Sequence, residues 1–170
     1  SIAGAGSIDI AGSQTLNVGG NNSSTSFTGV ISGAGVLTKS GSGTLTLSGT
    51  NTYTGATSIT AGKIAISNAT GLGTTDGATT VASGAALSIS GGITVAEAIT
   101  ISGTGISSGG AIIFTANDNT YSGAITLGAT STIISSSGAQ TISATVNGGQ
   151  ALTITANGNL IISGAVGGST

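Results

Sequence analysis

The chain has 170 residues, and Gly (32), Thr (29), Ser (26) and Ala (23) together supply 110 of them. Only six side chains are charged, for a formal net charge of −2, and His, Cys, Met, Trp and Pro are absent. Two cations cannot form the basic stripe that neutralises nucleic-acid phosphates, and a chain without His or Cys lacks the usual zinc, haem and iron–sulfur ligands, the Ser-His and Cys-His nucleophile pairs, and any disulfide.

Short alternating runs follow one another along the chain. Ser7–Ile10, Thr15–Val18, Thr44–Leu47, Lys63–Ile66, Ala86–Ile89, Ala98–Ile101 and Ala151–Ile154 each put two aliphatics on one face and small groups on the other. That is the period-2 signature of a half-buried strand. The alternation predicts inward positions at Leu45, Leu47, Ile59, Ile64, Ile66, Leu87, Ile89, Ile99, Ile101, Ile125, Leu127, Leu152 and Ile154. Gly-, Ser- and Asn-rich punctuation separates the runs, as at Gly33-Ala34-Gly35, Gly41-Ser42-Gly43 and Gly103-Thr104-Gly105. The Asn-Gly pairs at 147–148 and 157–158 read as tight turns. No segment has the periodicity and caps of an amphipathic helix.

The β-branched residues Ile, Val and Thr are abundant and mean hydropathy is positive, which is not the composition of a disordered chain. No apolar run approaches the ~18 residues of a membrane helix, and four aromatics cannot girdle a membrane barrel. Collagen would need Pro and a three-residue Gly period. With no Met at its start, the chain is expected to be a processed product or a piece of a longer one.

Internal echoes decide among all-β architectures. Asn51-Thr52-Tyr53-Thr54-Gly55-Ala56 returns as Asn119-Thr120-Tyr121-Ser122-Gly123-Ala124, and Thr44–Gly49 returns loosely as Asn159–Gly164. Both offsets fit a coil of roughly 23 residues. The expectation is a parallel β-helix, or β-solenoid, of about seven coils. Its narrow interior takes Ile, Leu and Val, its corners need Gly and Asn, and its outer faces suit Thr and Ser. The two tyrosines are expected at equivalent corners about three coils apart, roughly 14 Å at ~4.8 Å per coil, as packing elements with their hydroxyls in water.

The run from Phe27 through Gly33-Ala34-Gly35-Val36-Leu37-Thr38-Lys39 leads into Gly41-Ser42-Gly43-Thr44-Leu45-Thr46-Leu47-Ser48-Gly49 and Asn51-Thr52-Tyr53-Thr54-Gly55. It resembles the autotransporter-associated β-strand repeat of bacterial passenger domains, in which a lysine and a G-x-G-T-L-T-L-S-G-x-N-T-Y-x-G block are characteristic. The match covers about 27–73, with a degenerate copy at about 111–134 that lacks the G-x-G-T-L-T-L block. The rest is similar in style to filamentous-haemagglutinin-like repeats.

The resemblance implies a right-handed β-helix serving as an extracellular or cell-surface stalk. Residues 1–170 would be a single solenoid segment of a longer or self-assembling chain, and on this resemblance the absence of Cys from the sequence suits secretion as an unfolded chain. It implies a structural or adhesive role, not an enzyme. The expected partners are further coils of the same chain, other copies through the end coils, and a host or surface glycan or protein receptor. The outer membrane would be reached only through an anchor outside this segment. No catalytic, cofactor or metal residue is assigned.

Three features bear on sites. Asp76, Glu97 and Asp118 are spaced by 21 and 21, which would suit a column of Ca²⁺-binding carboxylates. Stacked like charges repel, however, and no G-G-x-G-x-D repeat accompanies them, so they read as solvated turn charges. Lys39 and Lys63 would form an anion site if they met on neighbouring coils, but read as solvated or snorkelling side chains. The T-x-T runs at Thr44/Thr46, Thr50/Thr52/Thr54 and Thr153/Thr155 raise an ice- or glycan-binding solenoid as the alternative. They do not recur every coil, and a continuous Thr ladder on one flat face would favour ice. A polysaccharide-active enzyme would need clustered Asp, Lys or Arg, which six dispersed charges do not offer.

Overall fold

A computed structural model describes residues 1–167. The chain winds through three faces per coil, and every strand pairs in parallel with the strand one coil away. Face I holds β1 (Ser7–Ile10), β4 (Val30–Gly33), β11 (Thr94–Val95), β14 (Thr120–Tyr121), β16 (Ala139–Ile142) and β19 (Asn159–Ile162). Short extended stretches at 52–54 and 72–74 complete it in coils 3 and 4. Face II holds β2 (Thr15–Val18), β5 (Val36–Lys39), β7 (Thr57–Ile59), β9 (Thr79–Val81), β12 (Ile99–Gly103) and β17 (Val146–Asn147). Face III holds β3 (Thr25–Phe27), β6 (Thr44–Leu47), β8 (Gly62–Ile66), β10 (Ala85–Ile89), β13 (Ile112–Phe114) and β18 (Leu152–Ala156). In coil 6 a single long strand, β15 (Ile125–Ser135), runs from face II to face III without a break and pairs on both.

Seven coils result, about 21 residues apart. The repeat is shorter than the 23 expected from the long-range echoes: the Tyr53–Tyr121 echo spans a long coil, and Thr44–Gly49 and Asn159–Gly164 lie on different faces, III and I, so their offset is not a whole number of coils. Coil length varies with the corners, as the registers show. The step from Thr44 to its partner Lys63 is shorter than the average coil, whereas the step from Thr94 to its partner Thr120 is longer. The corner between β12 and β13 contains the one helical turn among the described residues, Ile106–Ser108.

The interior is built of files of stacked side chains. On face III, Leu45, Ile64, Leu87, Ile112 and Ile133 lie in register, and beside them run Phe27, Leu47, Ile66, Ile89 and Phe114, all buried. Eleven of the thirteen positions predicted to face inward are buried. Leu152 and Ile154 differ. Leu152 is half-buried, and Ile154, although in register with buried Ile133, is 37% exposed. Both lie in coil 7, where no further face III strand among the described residues covers the file. The closing residues 168–170 lie outside the described residues.

Candidate functional site

At the corner from face I to face II, a polar seam is enclosed in the core. Tyr53 and Tyr121 hold the same face I position in coils 3 and 6, as their echo predicts, but both rings are fully buried. Their hydroxyls are not in water. The Tyr53 hydroxyl lies 2.6 Å from the Thr57 hydroxyl, which in turn donates to the Leu72 carbonyl at 3.4 Å. The Tyr121 hydroxyl donates to the backbone carbonyl of Glu97 at 2.7 Å. Burial pushes both phenols well above their ordinary range, and the Glu97 charge adds to the effect. Tyr53 is followed along its file by Gly73 (φ +95°), where a Cβ would lie 2.5 Å from the Tyr53 carbonyl oxygen and 3.0 Å from its ring.

Glu97 belongs to this seam and not to the surface. The residue two positions before the first inward residue of face II is Gly35, Gly55, Gly77 and Gly123 in coils 2, 3, 4 and 6. The glycine is required by close approach: a Cβ on Gly55 would lie 2.1 Å from the Gly35 carbonyl oxygen, and one on Gly123 would lie 2.1 Å from that of Glu97. In coil 5 the position is Glu97. The corner beneath it is longer, running from Gly73 to Gly77 where coil 3 runs from Tyr53 to Gly55. The Glu97 side chain is 4% exposed, its Oε1 accepts a hydrogen bond from the Thr79 hydroxyl at 2.6 Å, and its Oε2 has no partner among the described residues. Burial raises its pKa from 4.5 to about 7, against the opposing pull of the Thr79 bond.

The carboxylate column therefore does not exist. Asp76 is exposed beside the coil 4 corner, with its carboxylate accepting from the Thr74 hydroxyl. Asp118 is exposed at a different corner, between faces III and I, where it accepts from the Ala139 amide. No group of three His, Cys, Asp or Glu among the described residues is placed to hold a metal ion.

Lys39 is also inside. It stands in an inward file between Val18 and Ile59 and is fully buried. Its ammonium donates to the carbonyls of Ser40 (2.6 Å), Gly41 (2.8 Å) and Ala61 (3.2 Å), tying the corner of coil 2 to that of coil 3. Burial lowers its pKa. Lys63 lies outward on face III, so the two lysines share no site.

Asn51 and Asn119 open the two echoed N-T-Y blocks, which give them no role of their own, and both are buried. Asn51 accepts from the Ile31 amide of coil 2 and donates to the Gly71 carbonyl of coil 4. Asn119 accepts from the Gly92 and Ile93 amides and donates to Gln140 Oε1 at 2.9 Å. The N-T-Y echo is thus a structural unit: an asparagine that satisfies the coils on either side, then a tyrosine that fills the core.

On the outside, face II carries a continuous file that the T-x-T runs do not reveal. Asn17, Thr38, Ser58, Thr80, Thr100, Thr126 and Asn147 stack in register, one per coil. Beside them Ala56, Ala78, Ala98 and Ala124 are all exposed.

No curated protein and no solved structure matches the chain. Residues 37–66, from β5 to β8, match the model of the passenger-associated-transport-repeat family. The stretch that holds Lys39, Asn51 and Tyr53 in these inward roles is therefore similar to that repeat of autotransporter passengers.

Proposed function

We propose that these coils form the extracellular stalk of an autotransporter-like passenger, a structural element that extends and presents and that catalyses nothing. The observation that carries this reading is the match at 37–66, seated inside a stack whose faces II and III are paired through all seven coils. A narrow interior filled by files of aliphatic side chains, tied at intervals by Lys39, Asn51 and Asn119, suits a rod. The test places residues 1–170 between a signal peptide and an outer-membrane translocator barrel. Protease added to intact cells is expected to remove the segment, and protection of the segment inside the cell would overturn the reading.

Adhesion is assigned to modules that such a stalk presents, and assembly to its end coils. Ile154 and Val166, in register with buried Ile133 and Val146, are exposed at 37% and 53%, which supports a further coil covering them, from the same chain or from another copy. Light scattering at micromolar concentration is expected to show association of the isolated segment.

The face II file supports a second reading, an ice-binding face, because Thr and Ser recur there at strand spacing over five successive coils. The file is one residue wide and is flanked by alanines, so the stalk remains the better account. Thermal hysteresis abolished by Thr100→Lys would establish the alternative, and its absence in the unaltered chain would dismiss it.

A further inference from the structure

The face I ladder has one break. The 52–54 stretch of coil 3 bonds to the Ile31 and Gly33 carbonyls of coil 2, and Thr74 of coil 4 bonds to the Tyr53 carbonyl. β11 of coil 5, however, pairs only with β14 of coil 6, and among the described residues no backbone hydrogen bond joins face I of coil 4 to face I of coil 5. Two residues beyond β11 stands Glu97, in the place of a corner glycine. Its carboxyl reaches back to Thr79 of coil 4, and its backbone carbonyl holds Tyr121 of coil 6. One residue therefore spans three coils where the ladder is missing.

We propose that Glu97 is a protonation-controlled clasp: as the neutral acid it closes the seam between coils 4 and 5, and as the carboxylate it leaves the interior and lets the corner Val95–Ala98 open. A carboxylate presents about four lone-pair sites and needs several donors when buried. Among the described residues it has one, the Thr79 hydroxyl on Oε1, and Oε2 has none. The groups that face it supply no charge to hold it. Tyr53, from coil 3, is engaged with Thr57, and Tyr121, from coil 6, donates to the Glu97 backbone carbonyl. Asp76 stands outside the corner below, and Lys39 is tied to carbonyls at a different corner. Burial places the carboxyl's titration near neutrality.

Glu97 is the only glutamate in the chain, so its carboxyl gives a single resonance in a sample labelled with ¹³C at glutamate. The experiment follows that resonance and amide hydrogen exchange from pH 5 to pH 9 in the 170-residue chain, with exchange corrected for its intrinsic pH dependence. Protection of the Val95–Ala98 and Thr120–Ile125 amides is expected to fall at least tenfold with a midpoint near neutral, while the face III amides of coils 2 and 3 stay protected. Glu97→Gln, and Glu97→Gly, which restores the corner residue of the neighbouring coils, are expected to keep their pH 5 protection at pH 9. Equal loss of protection in the wild type and the Gln variant would overturn the clasp. A carboxyl midpoint near 4.5 would overturn it even if neither variant folds.

Discussion

Tyr121 donates its hydroxyl hydrogen to the backbone carbonyl of Glu97, 2.7 Å away and one coil below, whereas Tyr53, in the equivalent place three coils earlier, bonds the hydroxyl of Thr57. The same residue in the same file thus has different partners because the corners differ. Thr57 is the first inward residue of face II in coil 3, and the corresponding residue of coil 6, Ile125, has no hydroxyl to offer.

This difference predicts unequal losses on removing the two hydroxyls. Tyr121→Phe leaves the Glu97 carbonyl without its side-chain donor and is expected to cost about 1–2 kcal/mol. Tyr53→Phe is expected to cost less, because Thr57 keeps its bond to the Leu72 carbonyl. Urea unfolding of the two variants decides the order, and equal midpoints would show that the partners do not matter.

Lys39→Met keeps the length of the side chain but withdraws three N–H donors from the carbonyls of Ser40, Gly41 and Ala61. A loss on the order of 2–4 kcal/mol is expected, since hydrogen bonds to a charged group are stronger than neutral ones. Lys63→Met, outward on face III, is expected to change stability by no more than about 0.5 kcal/mol. The comparison needs only denaturation curves for the pair.

Asn51→Leu is close to isosteric yet leaves the Ile31 amide and the Gly71 carbonyl without the partner that serves them both. Each unsatisfied buried group costs roughly 1–3 kcal/mol, so the variant is expected to lose several. Hydrogen exchange should report the damage in coils 2 and 4 as well as coil 3.

The whole chain is expected to be more stable in mild acid than at neutral pH on account of Glu97. Its folded pKa, about 7, lies above the ordinary 4.5. Its contribution is therefore fully present below about 4.5 and is lost as pH rises through 7. At about 1.4 kcal/mol per unit, the loss is on the order of 3 kcal/mol. Glu97→Gln should flatten the profile over this window. A wild-type profile that rises from pH 4.5 to 7 would contradict the assignment.

The stacked architecture was legible because aliphatics at i and i+2 with glycine-rich corners have few other uses, and Leu45, Leu47, Ile64 and Ile66 face inward as their alternation dictates. The inward polar residues obey the same parity. Leu37 and Lys39 share one face of β5, Val95, Glu97, Ile99 and Ile101 share one phase, and so do Tyr53, Gly55, Thr57 and Ile59. The charge of Lys39 and Glu97 argued for solvent and outweighed a parity that pointed to the core. What parity alone does not contain is the partner: three carbonyls for Lys39 and a threonine hydroxyl for Glu97 arise from corners one coil away. The Thr file of face II was hidden for a similar reason, since its members stand a whole coil apart in sequence and become neighbours only once the coil lengths are known.

The missing rung between coils 4 and 5 has a mechanical meaning. Backbone hydrogen bonds in this stack point along its long axis, so a tensile load on the rod is carried at each boundary by all the bonds of that boundary in parallel. Neighbouring boundaries share the load over three faces, whereas this one carries it on faces II and III and the Glu97–Thr79 contact. Under shear from flow or a tugging attachment, rupture is expected to start there, near the middle of the segment, and to spare the coils on either side.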